Sequence, residues 1–245
     1  MQADRARQEE LSNFRSPIQA DQARQVAAGL CAGDPNNLEL QAAGLCRMAG
    51  KVRSGDPDNL EAQGARIYWQ ALFGEEGTGV SGEHFRRDPE GEGINLHLNY
   101  GYAVLRAVVA RALCASGLHP SLGVHHHNRY DTFCLADDLM EPFRPLVDRV
   151  VARIHLTSAN SNAESQNEAP AIAPAQAGTQ APAVQLDRNS KKAILEGLLL
   201  RYSAEGESRT LFDWASRSAS SLVAIIEERD EKLSFPELVP DACNP

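Results

Sequence analysis

The stretch Asn95–Ala115, NLHLNYGYAVLRAVVARALCA, decides the fold class. Leu98, Val104, Leu105, Val108, Val109, Ala112 and Leu113 recur along it at helical intervals, and such recurrence marks one apolar face of an α-helix. Gly117 and Pro120 follow as stop signals, so the stretch predicts a long, largely buried helix. A second pattern runs through it. Asn95, Asn99, Tyr102 and Arg106 recur at spacings of four, three and four, which makes one stripe of an apolar helix polar. That stripe is either a wet side, or a row that orients metal ligands or contacts phosphate.

Working outward, Asn59–Phe73 (NLEAQGARIYWQALF) reads as a helix with Asn59 as its cap. Gly74–Gly93 reads as a loop dense in glycine and charge, carrying His84, Arg86 and Arg87. Residues 1–50 form a helical lead-in whose apolar positions are mostly alanine and leucine. Gly33–Gln41 (GDPNNLELQ) and Gly55–Gln63 (GDPDNLEAQ) are alike, but two copies are too few for a solenoid, and the likeness is a turn and helix start used twice.

Downstream, 121–135 is a connecting segment, and 136–156 is helical with breaks near its start at Pro142 and Pro145. Residues 157–187 are rich in Ala, Pro, Gln, Asn and Ser and nearly devoid of large apolar side chains. They predict a disordered insertion or linker, because little surface can be buried against the entropy of ordering. Helices resume over 188–204 and 209–229, before a tail with Pro236, Pro240 and Pro245. With no strand-rich block, the expected class is all-α: lead-in 1–50, core 51–156, insertion 157–187, and C-terminal helices with tail 188–245.

Composition narrows the class. The 245 residues, 42% of them hydrophobic, suffice for a real core. No run approaches the ~20 apolar residues of a membrane span, and the first residues lack the apolar core of a secretion signal, so the chain reads as soluble and cytoplasmic. Five cysteines, none at C-x-x-C spacing, argue against a disulfide framework or Cys-rich zinc site and for buried free thiols. A net charge of −9 counts against a non-specific nucleic-acid coat, but leaves room for an enzyme with a local basic patch.

The candidate chemistry starts at His125-His126-His127, a run that is an accident, a tag-like metal binder or part of a site. Beyond it lies Asp137-Asp138-Leu139-Met140-Glu141. Asp138 and Glu141 are three apart and share a helical face; Asp137 and Glu141, four apart, can share it too. A solvated acidic helix start is the plain explanation. Yet the cluster sits in an apolar stretch from Phe133 to Phe143, where like charges repel unless a cation or proton compensates them. An imidazole with carboxylates suits Mg²⁺ or Mn²⁺, or a transition metal if the ligands crowd. Glu61 is a candidate third ligand at the start of an otherwise apolar helix; alone, it is a first-turn glutamate favoured by the helix dipole.

Five motifs occur in order. They are Asn59–Gly74 (N-x-E-x-x-x-A-R-x-Y-W-x-x-L-F-G), Phe85–Arg87 (FRR), Leu98–Arg106 (LNYGYA-x-LR), Gly117–His126 (GLHP-x-LG-x-HH) and Ala136–Pro145 (ADDLMEPFRP). Together they resemble the CRISPR-associated Cas-one integrase family in its type II form, most clearly over 51–156 and more weakly over 188–240.

The resemblance implies a helical catalytic domain and a divalent metal held by a glutamate, a histidine and an acidic residue, which match Glu61, His126 and Glu141. His126 is chosen because it matches the second His of the motif, and Asp138 matches a further acidic position near the metal. The implied reaction is phosphoryl transfer, in which the 3′-hydroxyl of a captured prespacer attacks a phosphodiester of the CRISPR repeat. Arg66, Arg86, Arg87, Arg106, Arg129 and Arg144 become candidate DNA phosphate contacts. The implied partners are DNA and the Cas-two protein. Family members also carry an N-terminal β domain that mediates homodimer formation, and this chain is expected to lack it. A nuclease without integration activity and a non-catalytic remnant are the alternative readings.

Overall fold

The computed structural model describes residues 45, 48, 51, 57–74, 85–124, 126, 128–166, 186–230, 233–236 and 238–240. Most of the expected lead-in 1–50, the segment 75–84 with His84, and the flanking histidines His125 and His127 lie outside the described residues. The side chains of Glu61 and of 156–166 lie outside them as well.

Helix α1 spans Leu60–Phe73. Its preceding residue, Asn59, is left-handed (φ 52°) and its side chain makes no cap hydrogen bond, so the expected side-chain cap is corrected to a backbone bend that asparagine tolerates. Helix α2 spans Ile94–Ala115, as its apolar period predicts. It closes on Gly117 (φ 81°), with the Leu118 N–H donating to the Leu113 carbonyl at 2.9 Å and the Gly117 N–H to that of Cys114 at 3.1 Å. That pair of bonds is the glycine-dependent helix stop.

The predicted helix over 136–156 is in three pieces. Helix α3 is Cys134–Met140, a single 3-10 turn covers Glu141–Phe143, and helix α4 is Arg144–Gln166. Pro142 and Pro145 stand at the starts of the last two, where a missing N–H does no harm. Helix α4 runs past 156 into the expected insertion, because Ala159, Ala163, Glu164 and Gln166 are compatible with helix and the next proline is Pro170. The rest of that segment, 167–185, lies outside the described residues.

The larger correction concerns 188–210, where the all-α expectation fails. Helix α5 spans Arg188–Leu198, with the Asp187 carboxylate accepting from the Ser190 N–H at 2.7 Å. Strands β1 (Arg201–Ala204) and β2 (Glu207–Thr210) then form an antiparallel hairpin. Its two-residue turn, Glu205-Gly206, has both φ values positive (53° and 78°), the geometry that matches strand twist. Strand β3 (Val239–Pro240) completes a sheet of order β2-β1-β3. Helix α6 spans Leu211–Ile226 and starts with a capping box between Thr210 and Asp213. The fold is mainly helical with one small sheet.

Helix α2 is the axis of the core. Leu98, Leu105 and Leu113 are fully buried among residues of α3, the 3-10 turn, α4, α5 and α6, including Phe143, Val147, Ile194 and Ala219. A Cβ on Gly101 would run into Val147 Cγ1, so the glycine sets how closely α2 and α4 approach. The hairpin is tied in by two bonds. The indole of Trp214 donates to the Tyr202 carbonyl, and the Tyr202 hydroxyl donates to that of Gly197, both at 2.8 Å. Among the described residues no helix is long and apolar enough to cross a membrane.

Candidate functional site

Helix α3 presents Asp137 and Asp138, and Glu141 opens the 3-10 turn behind it. Asp138 is only 5% exposed. Its Oδ2 accepts the Val124 N–H at 2.6 Å, while Oδ1 accepts the His126 N–H at 3.2 Å and the His126 ring Nδ1–H at 2.5 Å. One carboxylate thus folds the 121–126 segment over α3 and fixes the imidazole. Gly123 makes that fold feasible. A Cβ there would strike the His126 carbonyl and the Cys134 side chain, and would come to 3.2 Å from Asp138 Oδ2. His126 and Asp138 are therefore in direct contact, with Nδ1 engaged and Nε2 on the opposite edge of a half-exposed ring.

The other acidic groups are held by arginines. Asp137 accepts from Arg106 Nε at 2.7 Å. Burial pushes its carboxyl above the usual range while the Arg106 guanidinium pulls it back. Glu141 pairs with Arg144 at 3.1 Å. Glu61 is placed in the first turn of α1. Among the described residues no three His, Cys, Asp or Glu side chains form a metal-holding group, and the Glu61 side chain is outside that set.

The polar stripe of α2 is half-exposed, and its side chains are engaged. Asn95 is buried, and its Oδ1 accepts from Arg87 at 3.0 Å and from the Asp88 N–H at 2.9 Å. Asn99 accepts from Arg87 at 2.5 Å. Tyr102 lies under both Arg87 and Arg144, at 5.3 and 5.4 Å from its ring centre. Arg87, Arg106 and Arg144 are thus bound internally, while Arg66, Arg86 and Arg129 are exposed.

Against known proteins, the family model described as "CRISPR associated protein Cas1" matches residues 54–173, the span that holds α1 to α4 and the whole acidic cluster. The chain belongs to the Cas1 family. It is 42% identical over 123 residues to the CRISPR-associated endonuclease Cas1 of Neisseria meningitidis serogroup C (strain 8013), a match covering 50% of this chain and 37% of that one. A Thermus thermophilus Cas1 endonuclease is 43% identical over 89 residues, covering 36% of this chain and 28% of the relative. The chain therefore spans well under half the length of these curated relatives.

Among solved structures, the Thermotoga maritima Cas1 protein aligns with a TM-score of 0.63 at 15% identity, over 92% of this chain and 68% of that one. A casposase bound to integration product aligns at 0.60 and 22% identity, over 94% of this chain and 64% of that one. A Cas6-RT-Cas1–Cas2 complex aligns at 0.65 and 18% identity, over 92% and 25%. At these identities the likeness shows a shared fold.

The Cas1 fold here carries one group that sequence reasoning missed. Asp148 on α4 is 2% exposed. Its Oδ2 accepts the Tyr68 hydroxyl at 2.6 Å and its Oδ1 accepts the Tyr102 hydroxyl. Burial pushes Asp148 up to about 6, against the two phenol hydrogen bonds and the nearby Arg144 and Arg87. Burial, and next the Asp148 charge, hold both tyrosines well above their ordinary range, so both stay protonated donors. The available signal was Asp148, which with Arg149 interrupts the apolar pairs Leu146-Val147 and Val150-Val151 and asks for a partner.

Proposed function

We propose that this chain is the catalytic portion of a DNA endonuclease/integrase of CRISPR adaptation, dependent on Mg²⁺ or Mn²⁺. The observation that carries the reading is the His126–Asp138 pair. A histidine whose Nδ1–H is held by a buried carboxylate has its tautomer and orientation set for metal ligation through Nε2. The donor set fits a divalent cation of this class, with Glu61, His126 and Glu141 as its holders. Such a cation, when bound, lowers the pKa of an attacking hydroxyl and stabilises charge on the phosphate.

The chain's own groups do the rest. Asp138 orients His126, and Arg144 pairs with the Glu141 carboxylate at 3.1 Å. Arg106 balances Asp137, so like charge does not accumulate on α3. Arg66, Arg86 and Arg129, being exposed, are the better placed of the six candidate phosphate contacts. The proposed partners are DNA, as prespacer and repeat, and a Cas2 protein. Solved structures titled as a Cas1–Cas2 complex and as a casposase on its integration product support that assignment.

A strand-transfer assay with Mn²⁺, a short duplex, a repeat-bearing plasmid and Cas2 tests the reading. Joined product that disappears in His126→Ala supports it. No joining and no cleavage by the wild-type chain overturns it, and cleavage without joining reduces it to a nuclease.

A further inference from the structure

Three helices meet at one buried carboxylate. Tyr68 belongs to α1, Tyr102 to α2 and Asp148 to α4, and each Asp148 oxygen accepts one phenol. Two donors matched to two acceptors explain why a carboxylate serves here, since an amide in its place offers one acceptor. The Asp148 carboxylate is bonded here to two neutral phenols. Arg87 and Arg144 act on it from across the Tyr102 ring, at 5.3 and 5.4 Å from the ring centre.

The placement matters for the metal ligands. Glu61 lies seven residues before Tyr68 on α1, two helical turns or about 10 Å along the axis. Glu141 lies one 3-10 turn ahead of α4, which carries Asp148. Helix α1 otherwise leans on the body through the rings of Trp69 and Phe73 against Phe85, with centroids 5.6 and 4.7 Å apart. Ring packing resists separation but tolerates sliding; a short charge-assisted hydrogen bond fixes register.

We propose that Asp148 is a positioning residue of the metal centre: by accepting the Tyr68 and Tyr102 hydroxyls it locks α1, the helix of Glu61, in register with α4 and so with Glu141. This rests on the metal-centre reading above. Tyr68→Phe cuts the tie to α1 and leaves the ring. Tyr102→Phe cuts the tie to α2, keeps the α1–α4 bond, and keeps the ring that Arg144 stacks on.

The test is Mn²⁺ binding to the full chain without DNA, read by the electron paramagnetic resonance signal of free Mn²⁺, beside thermal melting and turnover. Groups that orient metal ligands typically contribute about 10–100-fold to affinity. Tyr68→Phe is expected to weaken Mn²⁺ binding about tenfold, and Tyr102→Phe less. Saturating Mn²⁺ restores turnover in Tyr68→Phe but not in Glu61→Ala. Asp148→Asn, which keeps one acceptor, weakens binding as well and carries the test if Tyr68→Phe is poorly folded. If Tyr68→Phe and Asp148→Asn bind Mn²⁺ like wild type while Glu61→Ala loses it, the positioning role is overturned and the metal centre stands. If Glu61→Ala binds like wild type, the metal-centre reading itself fails, and the positioning role falls with it.

Discussion

Replacing Asp148 by asparagine should change how stability depends on pH, with a sign and size that follow from burial. Asp148 titrates at about 6 in the folded chain, against an ordinary value of 3.8. A carboxyl whose folded pKa lies above its unfolded one binds its proton more tightly when folded. Its contribution to stability is complete below pH 3.8 and is lost as pH rises through about 6. At about 1.4 kcal/mol per pH unit, ionising Asp148 in place costs about 3 kcal/mol in full. Asparagine has no such term. Urea unfolding of both proteins from pH 4.5 to 7.5 isolates it, because every other titrating group cancels in the difference. The stability of wild type relative to Asp148→Asn should fall by about 2 kcal/mol across that range. A flat difference, or one that rises with pH, would refute the claim that desolvation outweighs the two phenol bonds at this site.

Other consequences are equally direct. Gly101→Ala places a methyl group against Val147 and should destabilise by about 1–3 kcal/mol, more than its ~1 kcal/mol gain in helix propensity, measured by urea unfolding. Gly123→Ala should push the 121–126 segment off Asp138, release His126 and weaken Mn²⁺ affinity about tenfold or more in a titration, with a smaller loss in melting temperature. Burial and the neighbouring His97, whose ring is 5.1 Å away, hold His155 down at about 4. Its contribution is present above its ordinary 6.5 and lost as pH falls toward 4, so His155→Phe should flatten the acid side of the stability profile.

The parts of the fold legible in the sequence were those with long helical periods. Helix α2 could be bounded closely because its apolar face recurs without interruption from Leu98 to Leu113. The hairpin Arg201–Thr210 escaped because each strand has four residues, too short to show a period. Its turn, Glu205-Gly206, between Tyr202 and Ala204 on one side and Arg209 on the other, was the signal available. The family resemblance put Asp138 near the metal that His126 would hold, and the two side chains are in contact. Asp148 was illegible for a different reason. Its partners lie 80 and 46 residues away, and only packing of three helices joins them.

The central claim is that Glu61, His126 and Glu141 converge on one divalent cation. Anomalous diffraction from crystals of this chain grown with Mn²⁺ addresses it most directly. The account predicts a single strong peak about 2.0–2.3 Å from His126 Nε2 and from a carboxylate oxygen of both Glu61 and Glu141. A peak bound elsewhere, or ordered side chains at those three positions with no shared ion between them, would contradict it.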